Sequence, residues 1–300
     1  MPTQLEKTIH NTLAYFAYFQ YPLTVFEIYK WQYRPDRVYK YFEIKEALDD
    51  SDWLSKRVGS FEGMYALGSN GEVEQQVSSR RRRFLDSVRK QRKAGKAVRY
   101  LSRIPCVKGV AICNSLAFHF TREKSDIDFF VITDHNRIWS SRFWSIFPLM
   151  LFRQRPGETK KDPIDISFFL STEDMNIEHL KMQDEDPYFA FWICNLMPVY
   201  GDEKVWNSFF EQNKWVLNYL PNAIFPKLSY GARLGRRSHL PAHIVPEGLL
   251  RPLQKINLPK QIKSKANKDT CVVVNDKVLK FHTTDRRLEI FEAFDKKRVL

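Results

Sequence analysis

The chain has 300 residues, of which 43% are hydrophobic and 14% aromatic. This length and composition suffice for two or three domains with packed cores and exclude an intrinsically disordered chain. The formal net charge is +13, with eleven basic residues against one acidic in 80–103 and seventeen against seven in 227–300. Such segments fit a polyanionic partner (nucleic acid, nucleotide or anionic lipid), and they fit a solubilising surface equally well.

Cysteine spacing and apolar runs indicate the cellular compartment. The four cysteines form no CxxC pair, which argues against a zinc site or a disulfide framework and favours a reducing cytoplasm. The N-terminus lacks a basic segment followed by an apolar one, so no signal peptide is expected. The most apolar run, residues 143–152, is shorter than the roughly 20 residues that span a bilayer. We therefore predict a cytoplasmic protein without a transmembrane segment, in which this run is a buried helix.

Residues 1–77 are predicted to form a winged-helix-like domain. Apolar residues at helical spacing indicate a first helix over 5–19. Thr24 with Glu27 three residues later forms a capping box that opens a second helix. A third helix is expected over 36–48, and a hairpin over 57–67. Three helices followed by a hairpin are the outline of a winged helix-turn-helix.

Three further segments follow. Residues 78–104 are predicted to be a basic connecting helix with a break at Gly95, and 105–175 to be a compact core. The core elements expected are strands over 107–113, 127–133 and 162–170 and a helix over 137–152. Residues 176–300 are predicted to be a basic helical region with helices over 188–196 and 203–220 and a hairpin at 271–281. We interpret the aromatic residues of 188–219 as core.

Two carboxylates directly precede the apolar stretch 129–132. The period of two in a strand places Asp126 and Asp128 on one face, with Ile127 on the other. Like-charged carboxylates this close repel each other unless a cation lies between them. The pair therefore predicts a divalent metal site.

The surrounding pattern resembles the nucleotidyltransferase superfamily that includes DNA polymerase beta. The segment 112–117 contains the turn Asn114-Ser115, Asp126 and Asp128 follow Ser115 after ten residues, and Asp165 lies in a later apolar strand. Over most of the chain, the order of elements is also similar to bacterial nucleotidyltransferase-domain proteins. The resemblance implies an α+β fold: a small mixed-sheet nucleotidyltransferase core flanked by an N-terminal winged-helix-like domain and a helical C-terminal region.

The resemblance also implies a reaction: transfer of a nucleoside monophosphate from an NTP to a hydroxyl acceptor that the sequence does not identify. Two Mg²⁺ ions, or Mn²⁺ in their place, clamp the triphosphate and activate the hydroxyl in such chemistry. Asp126 and Asp128 would bridge both metals, and Asp165 would hold the catalytic one and help to deprotonate the acceptor. The implied nucleotide-binding residues are Asn114, Ser115, Ser125 and Lys124, although Lys124 could equally screen the carboxylates.

The sequence departs from the family pattern at two positions. Asn114 and His119 stand where the family has glycines, which permit a positive φ and a close approach of phosphate to the backbone. Asparagine tolerates the left-handed region better than most residues, so the turn at Asn114 can persist. His119 is harder to accommodate, although a cationic His119 could contact phosphate.

Two alternatives stay open. The chain could be a nucleic-acid-binding regulator with a degenerate transferase core, contacting nucleic acid through the helix that carries Arg80–Arg83. The same arginines also fit a solvated helix face. A third possibility is a toxin–antitoxin partner whose core modifies another protein.

Overall fold

The computed structural model describes residues 1–228 and 245–299. This part of the chain is an α+β structure with twelve α-helices, a three-stranded sheet and a mixed six-stranded sheet. The N-terminal elements are α1 (Gln4–Ala17), β1 (Leu23–Thr24), α2 (Val25–Lys30), α3 (Tyr41–Asp50), α4 (Asp52–Ser55), β2 (Val58–Phe61), β3 (Met64–Leu67) and α5 (Asn70–Leu101).

The remaining helices and strands build the larger sheet and its cover. They are β4 (Val107–Ile112), α6 (Asn114–Ala117), β5 (Ile127–Thr133), α7 (Ile138–Leu151), β6 (Ile164–Ser171), α8 (Pro187–Cys194), β7 (Met197–Gly201), α9 (Glu203–Gln212), α10 (Glu247–Ile256), α11 (Lys260–Lys265), β8 (Val272–Val274), β9 (Val278–Phe281) and α12 (Arg287–Asp295). Short 3₁₀ helices cover Glu178–Leu180 and Lys214–Asn218.

The N-terminal region contains the predicted helices and hairpin. The Thr24–Glu27 capping box opens α2 as expected. Helix α3 begins later than predicted because the Gln32 side chain bonds to the backbone N–H and carbonyl of Tyr39 and holds the preceding loop in a non-helical conformation. The three strands pair in the order β1-β3-β2. The winged-helix interpretation itself stays a prediction.

Helix α5 is longer than predicted and continuous. A capping box between Ser69 and Glu72 starts it eight residues before the expected position 78. The expected break at Gly95 is wrong: one glycine inside a helix costs only about 1 kcal/mol relative to alanine. Buried residues of the last turns, among them Ala94, Val98 and Leu101, pack against the sheet and outweigh that cost.

The six-stranded sheet has the order β7-β4-β5-β6-β9-β8, and β5 and β6 are its only parallel neighbours within the described residues. The three predicted core strands are present. The hairpin predicted at 271–281 is confirmed as the antiparallel pair β8–β9, and 176–300 supplies one further strand, β7, that was not predicted. Strand β7 was missed because it is short and contains Pro198, which strands tolerate mainly at a sheet edge, where β7 lies.

The helix predicted over 203–220 ends earlier, at Gln212. The buried amide of Asn213 donates to the carbonyls of Met175 and Phe209 and accepts from the N–H of Ile177. These bonds tie the helix end to a distant loop, and the chain continues as a short 3₁₀ helix.

The two faces of the large sheet pack in separate clusters. Phe130 and Phe168 belong to a cluster with α1, α8, α9 and α12, in which most aromatic residues of 188–219 are buried. Phe129 and Val131 face the other way, towards α5 and α7. The predicted strand period is thus confirmed for β5.

Helix α7 is buried only in its first half. Ile138 and Trp139 lie in the core, whereas Phe147, Met150 and Leu151 are exposed. The expectation of a buried helix over 143–152 is therefore wrong for the second half of this run. Within residues 1–228 and 245–299, we find no helix with the length and hydrophobicity that crossing a membrane requires.

Buried charges fasten the C-terminal helix to the core. Arg287, at the start of α12, is 5% exposed and pairs with Asp186 and Asp285 at 2.8 Å each. Asp186 also caps α8 by accepting from the backbone N–H of Phe189. Arg287 thus joins α12 to the first turn of α8.

Replacing Arg287 by methionine should destabilise the protein by about 3–5 kcal/mol, because two buried carboxylates lose their common partner. The free energy of unfolding, measured by urea denaturation, checks this. The neighbouring Arg286 is 62% exposed, so Arg286→Met should cost less than about 1 kcal/mol. An equal loss of unfolding free energy in the two variants would contradict the proposed role of Arg287 in joining α12 to α8.

Candidate active site

The parallel pair β5–β6 brings two of the three predicted carboxylates, Asp128 and Asp165, side by side. Asp128 and Asp165 are direct register partners on neighbouring strands. Asp126 lies one residue before β5, and its charge contributes to raising the pKa of Asp128. All three are partly exposed. The sheet thus assembles residues that are 37 positions apart in the sequence, from Asp128 to Asp165.

The carboxylates disfavour each other's ionisation. Burial, with the charges of Asp165 and Asp126, raises the pKa of Asp128 to about 8. Burial and the charge of Asp126 also raise the pKa of Asp165, and burial raises that of Asp126. Protonation of one member, or a nearby cation, would relieve the repulsion in such a group.

A divalent metal fits this group by its donor chemistry, because Mg²⁺ prefers carboxylate oxygens. The side chains are not arranged around a common point, however: among residues 1–228 and 245–299, no three His, Cys, Asp or Glu side chains are placed to ligate one ion. The site therefore has the charge of a cation site without a ligand cage.

The Asn114–Ser115 turn at the start of α6 has the positive φ that glycine would adopt there. Asn114 has φ = 54°. Its side-chain oxygen accepts from Trp192 Nε1 at 3.1 Å, and a hydrogen bond from Asn114 lowers the pKa of Asp128. Asn114 thus connects the turn to the carboxylates, which glycine could not do. The adjacent Ser115 hydroxyl is partly exposed and bonds to no described residue.

The second glycine position also keeps a positive φ, 53° at His119. The ring faces α5, where Gln91 Nε2 donates to Nδ1 at 3.2 Å and Phe84 packs against it. Burial lowers the pKa of His119. These contacts favour the neutral ring, so the suggested cationic contact with phosphate is not supported.

Lys90 on α5 holds the loop that precedes Asp126. It is fully buried and donates to the backbone carbonyls of Arg122, Glu123 and Ser125. Its charge lowers the pKa of Asp126 and offsets part of the effect of burial. The sequence does not single out Lys90, because it stands among ten other basic residues in 80–103.

A cavity of about 690 Å³ lies beside the Asn114–Ser115 turn. Its lining includes Ser115, Ser125 and five cationic side chains: Arg83, Arg122, Lys280, Arg286 and Arg287. The last three pair with Asp285 or Glu289. The three site carboxylates are outside this lining, as is the exposed Lys124.

Arg83 and Arg122 are the unpaired cations of this lining. Neither forms an ion pair with a described carboxylate. Arg83 stacks over the Phe120 ring at 4.0 Å, and its pKa is lowered by burial and by the neighbouring charge of Arg122. Two unpaired guanidinium groups that repel each other form a favourable site for an anion.

The four arginines at 80–83 do not share one role. Arg80 forms a two-pronged ion pair with Glu27 at 2.6 and 2.8 Å and stacks over Tyr21. Arg81 pairs with Glu62. Arg80 and Arg81 are thus occupied within the fold, and Arg83 turns to the cavity.

Replacing Asp128 by asparagine should stabilise the protein at alkaline pH. A raised pKa means that the folded wild type holds its proton more tightly than the unfolded chain, so its stability falls as pH rises from about 4 to about 8. The asparagine side chain in the variant does not ionise, and we expect a gain of up to about 5 kcal/mol at pH 9 that vanishes near pH 4.

Urea denaturation across this pH range measures the effect. Asp49→Asn, which removes a surface carboxylate paired with Lys45, is the matched control and should follow the wild type. A constant difference between Asp128→Asn and wild type at every pH would contradict the electrostatic explanation.

Comparison with known proteins gives no match to a family model, to a curated protein or to a solved structure. A functional assignment therefore depends on the site residues themselves.

Proposed function

We propose that the protein is a cytoplasmic, metal-dependent nucleotidyltransferase that moves an NMP from an NTP to a hydroxyl acceptor. The observation that carries this proposal is the pairing of Asp128 with Asp165 on parallel strands, with Asp126 two residues before Asp128 and the Asn114–Ser115 turn beside them. The raised pKa values indicate a group that a cation would stabilise. Mg²⁺ is the proposed ion, with Mn²⁺ as a substitute.

The residues divide the chemistry between them. Asp126, Asp128 and Asp165 would hold the metal, which when bound neutralises phosphate charge and acidifies the acceptor hydroxyl. Asp165 accepts the hydroxyl proton as the new bond from acceptor oxygen to the α-phosphorus forms. The bond between the α-phosphorus and the bridging oxygen breaks, and pyrophosphate leaves. Side-chain rotation would be needed for the three carboxylates to meet one ion.

The cationic cavity accounts for phosphate binding. Arg83 and Arg122 supply unpaired positive charge, and the Ser115 hydroxyl is free to donate. Ser125 lines the same cavity, and its hydroxyl accepts from the backbone N–H of Arg122 at 2.9 Å. This bond holds Arg122 in place and leaves the Ser125 O–H free to donate to phosphate.

The regulator alternative has less support. It depends on the arginines of α5 as a nucleic-acid surface, and two of these, Arg80 and Arg81, already pair with Glu27 and Glu62. No described contact favours a second function over nucleotidyl transfer.

A transfer assay tests the proposal. We expect label from an NTP carrying ³²P at the α-phosphate to enter an acceptor in cell extract only with Mg²⁺ or Mn²⁺. Asp165→Asn should lower this rate roughly 10²- to 10⁴-fold because the general base is lost. Combined replacement of Asp126 and Asp128 by asparagine should abolish labelling.

Asp134→Asn is the matched control. This carboxylate directly follows β5 at its opposite end and pairs with Lys108 on the surface, so its loss should leave the rate unchanged. Labelling that persists undiminished in the double asparagine variant would refute the site assignment.

A further inference from the structure

A second, aromatic cavity adjoins the cationic one. Its volume is about 290 Å³, close to the lower end of the roughly 300–1,000 Å³ typical of small-molecule sites. Both cavities are lined by Asn114 and Ser115, so the turn lies where they meet. The remaining walls of the smaller cavity are aromatic: Tyr15, Phe16, Phe19, Tyr21, Phe118, Phe120, Tyr188 and Trp192.

One wall residue carries a polar group that has no protein partner. Tyr15 is 2% exposed, and its hydroxyl forms no hydrogen bond to any described residue. Its ring is held by stacking on Phe191 at 3.9 Å between centroids. By contrast, the Tyr33 hydroxyl in the same core cluster donates to Glu185 at 2.6 Å. The Tyr15 hydroxyl is not among the fully buried polar atoms without a partner, so water reaches it, and a ligand with a polar edge in the cavity would replace that water.

The two cavities suit different parts of one ligand. No lysine or arginine lines the aromatic cavity among the described residues, so it disfavours phosphate, whereas the larger cavity offers Arg83 and Arg122. A flat, uncharged ring with hydrogen-bonding edges matches aromatic walls and a free hydroxyl. Cys113, directly before the Asn114–Ser115 turn that lines both cavities, donates its backbone N–H to the carbonyl of Asp128 at 3.1 Å, which places the aromatic cavity near this carboxylate.

We infer that the aromatic cavity binds the nucleobase of the NTP. The polar edge of the base would contact the Tyr15 hydroxyl, and the phosphates of the NTP would lie on the Ser115 side. The inference rests on the proposed function and adds the part of the substrate that the carboxylates do not contact. It also assigns a ligand-binding role to Tyr188 and Trp192, which the sequence indicates only as core.

Titration calorimetry with Mg²⁺ tests this, using ATP, GTP, CTP and UTP against inorganic tripolyphosphate. We expect at least one NTP to bind tenfold or more tightly than tripolyphosphate, because only the NTP fills the aromatic cavity. Tyr15→Phe should lower the affinity for that NTP about 3- to 10-fold and leave the affinity for tripolyphosphate unchanged. The melting temperature of Tyr15→Phe should stay nearly the same, since the Tyr15 hydroxyl has no protein partner to lose and is not fully buried.

Two further variants sharpen the test. Phe118→Trp adds volume to the wall of the aromatic cavity. It should lower the affinity for the NTP at least tenfold without changing the affinity for tripolyphosphate. Tyr33→Phe is the matched control: it removes a bonded hydroxyl, so it should lower the melting temperature and leave both affinities unchanged.

The outcomes separate the two proposals. Equal affinity for NTP and tripolyphosphate, or an equal loss of both in Tyr15→Phe, would overturn the nucleobase assignment and leave the proposed transferase intact. Absence of binding by every NTP and by tripolyphosphate would overturn both.

Discussion

Repulsion among three carboxylates at the junction of β5 and β6 is the constraint around which this region is built. Asp128 and Asp165 are forced together by the sheet register, and Asp126 adds a third charge. Neighbouring groups offset this repulsion only in part. Lys90 contributes a buried positive charge from α5, and Asn114 contributes a hydrogen bond from the turn. The pKa of each of the three carboxylates therefore stays raised.

Local patterns made much of this arrangement predictable. The apolar stretch after Asp128 defined β5, and the period of two placed Asp126 and Asp128 on one face. The positive φ at Asn114 followed from its place in the turn, because asparagine adopts the left-handed region more readily than most residues. Helix starts with a capping box, as at Thr24, were equally clear, since the cap is local in sequence.

What could not be predicted depends on packing between distant segments. In the sequence, Lys90 cannot be distinguished from its basic neighbours. Its role depends on the packing of α5 against the loop before Asp126. Arg80 and Arg83 differ only in which partner the helix face meets, Glu27 or the cavity. Strand β7 carries too weak a pattern to be recognised without the sheet edge that it joins. The pairing of Asp128 with Asp165 required the strand order, which a single sequence does not supply.

The cavities also change how the N-terminal region should be understood. Helix α1 supplies Tyr15 and Phe16 to the aromatic cavity, and Tyr21 follows it, while Asn114 and Ser115 come from the core. The Arg80–Glu27 pair, with Arg80 stacked over Tyr21, fixes the start of α2 against α5. The region predicted as a separate winged-helix-like domain therefore contributes walls to the candidate site. Because half of the aromatic lining comes from this region, ligand selection and the packing of the N-terminal helices depend on the same side chains.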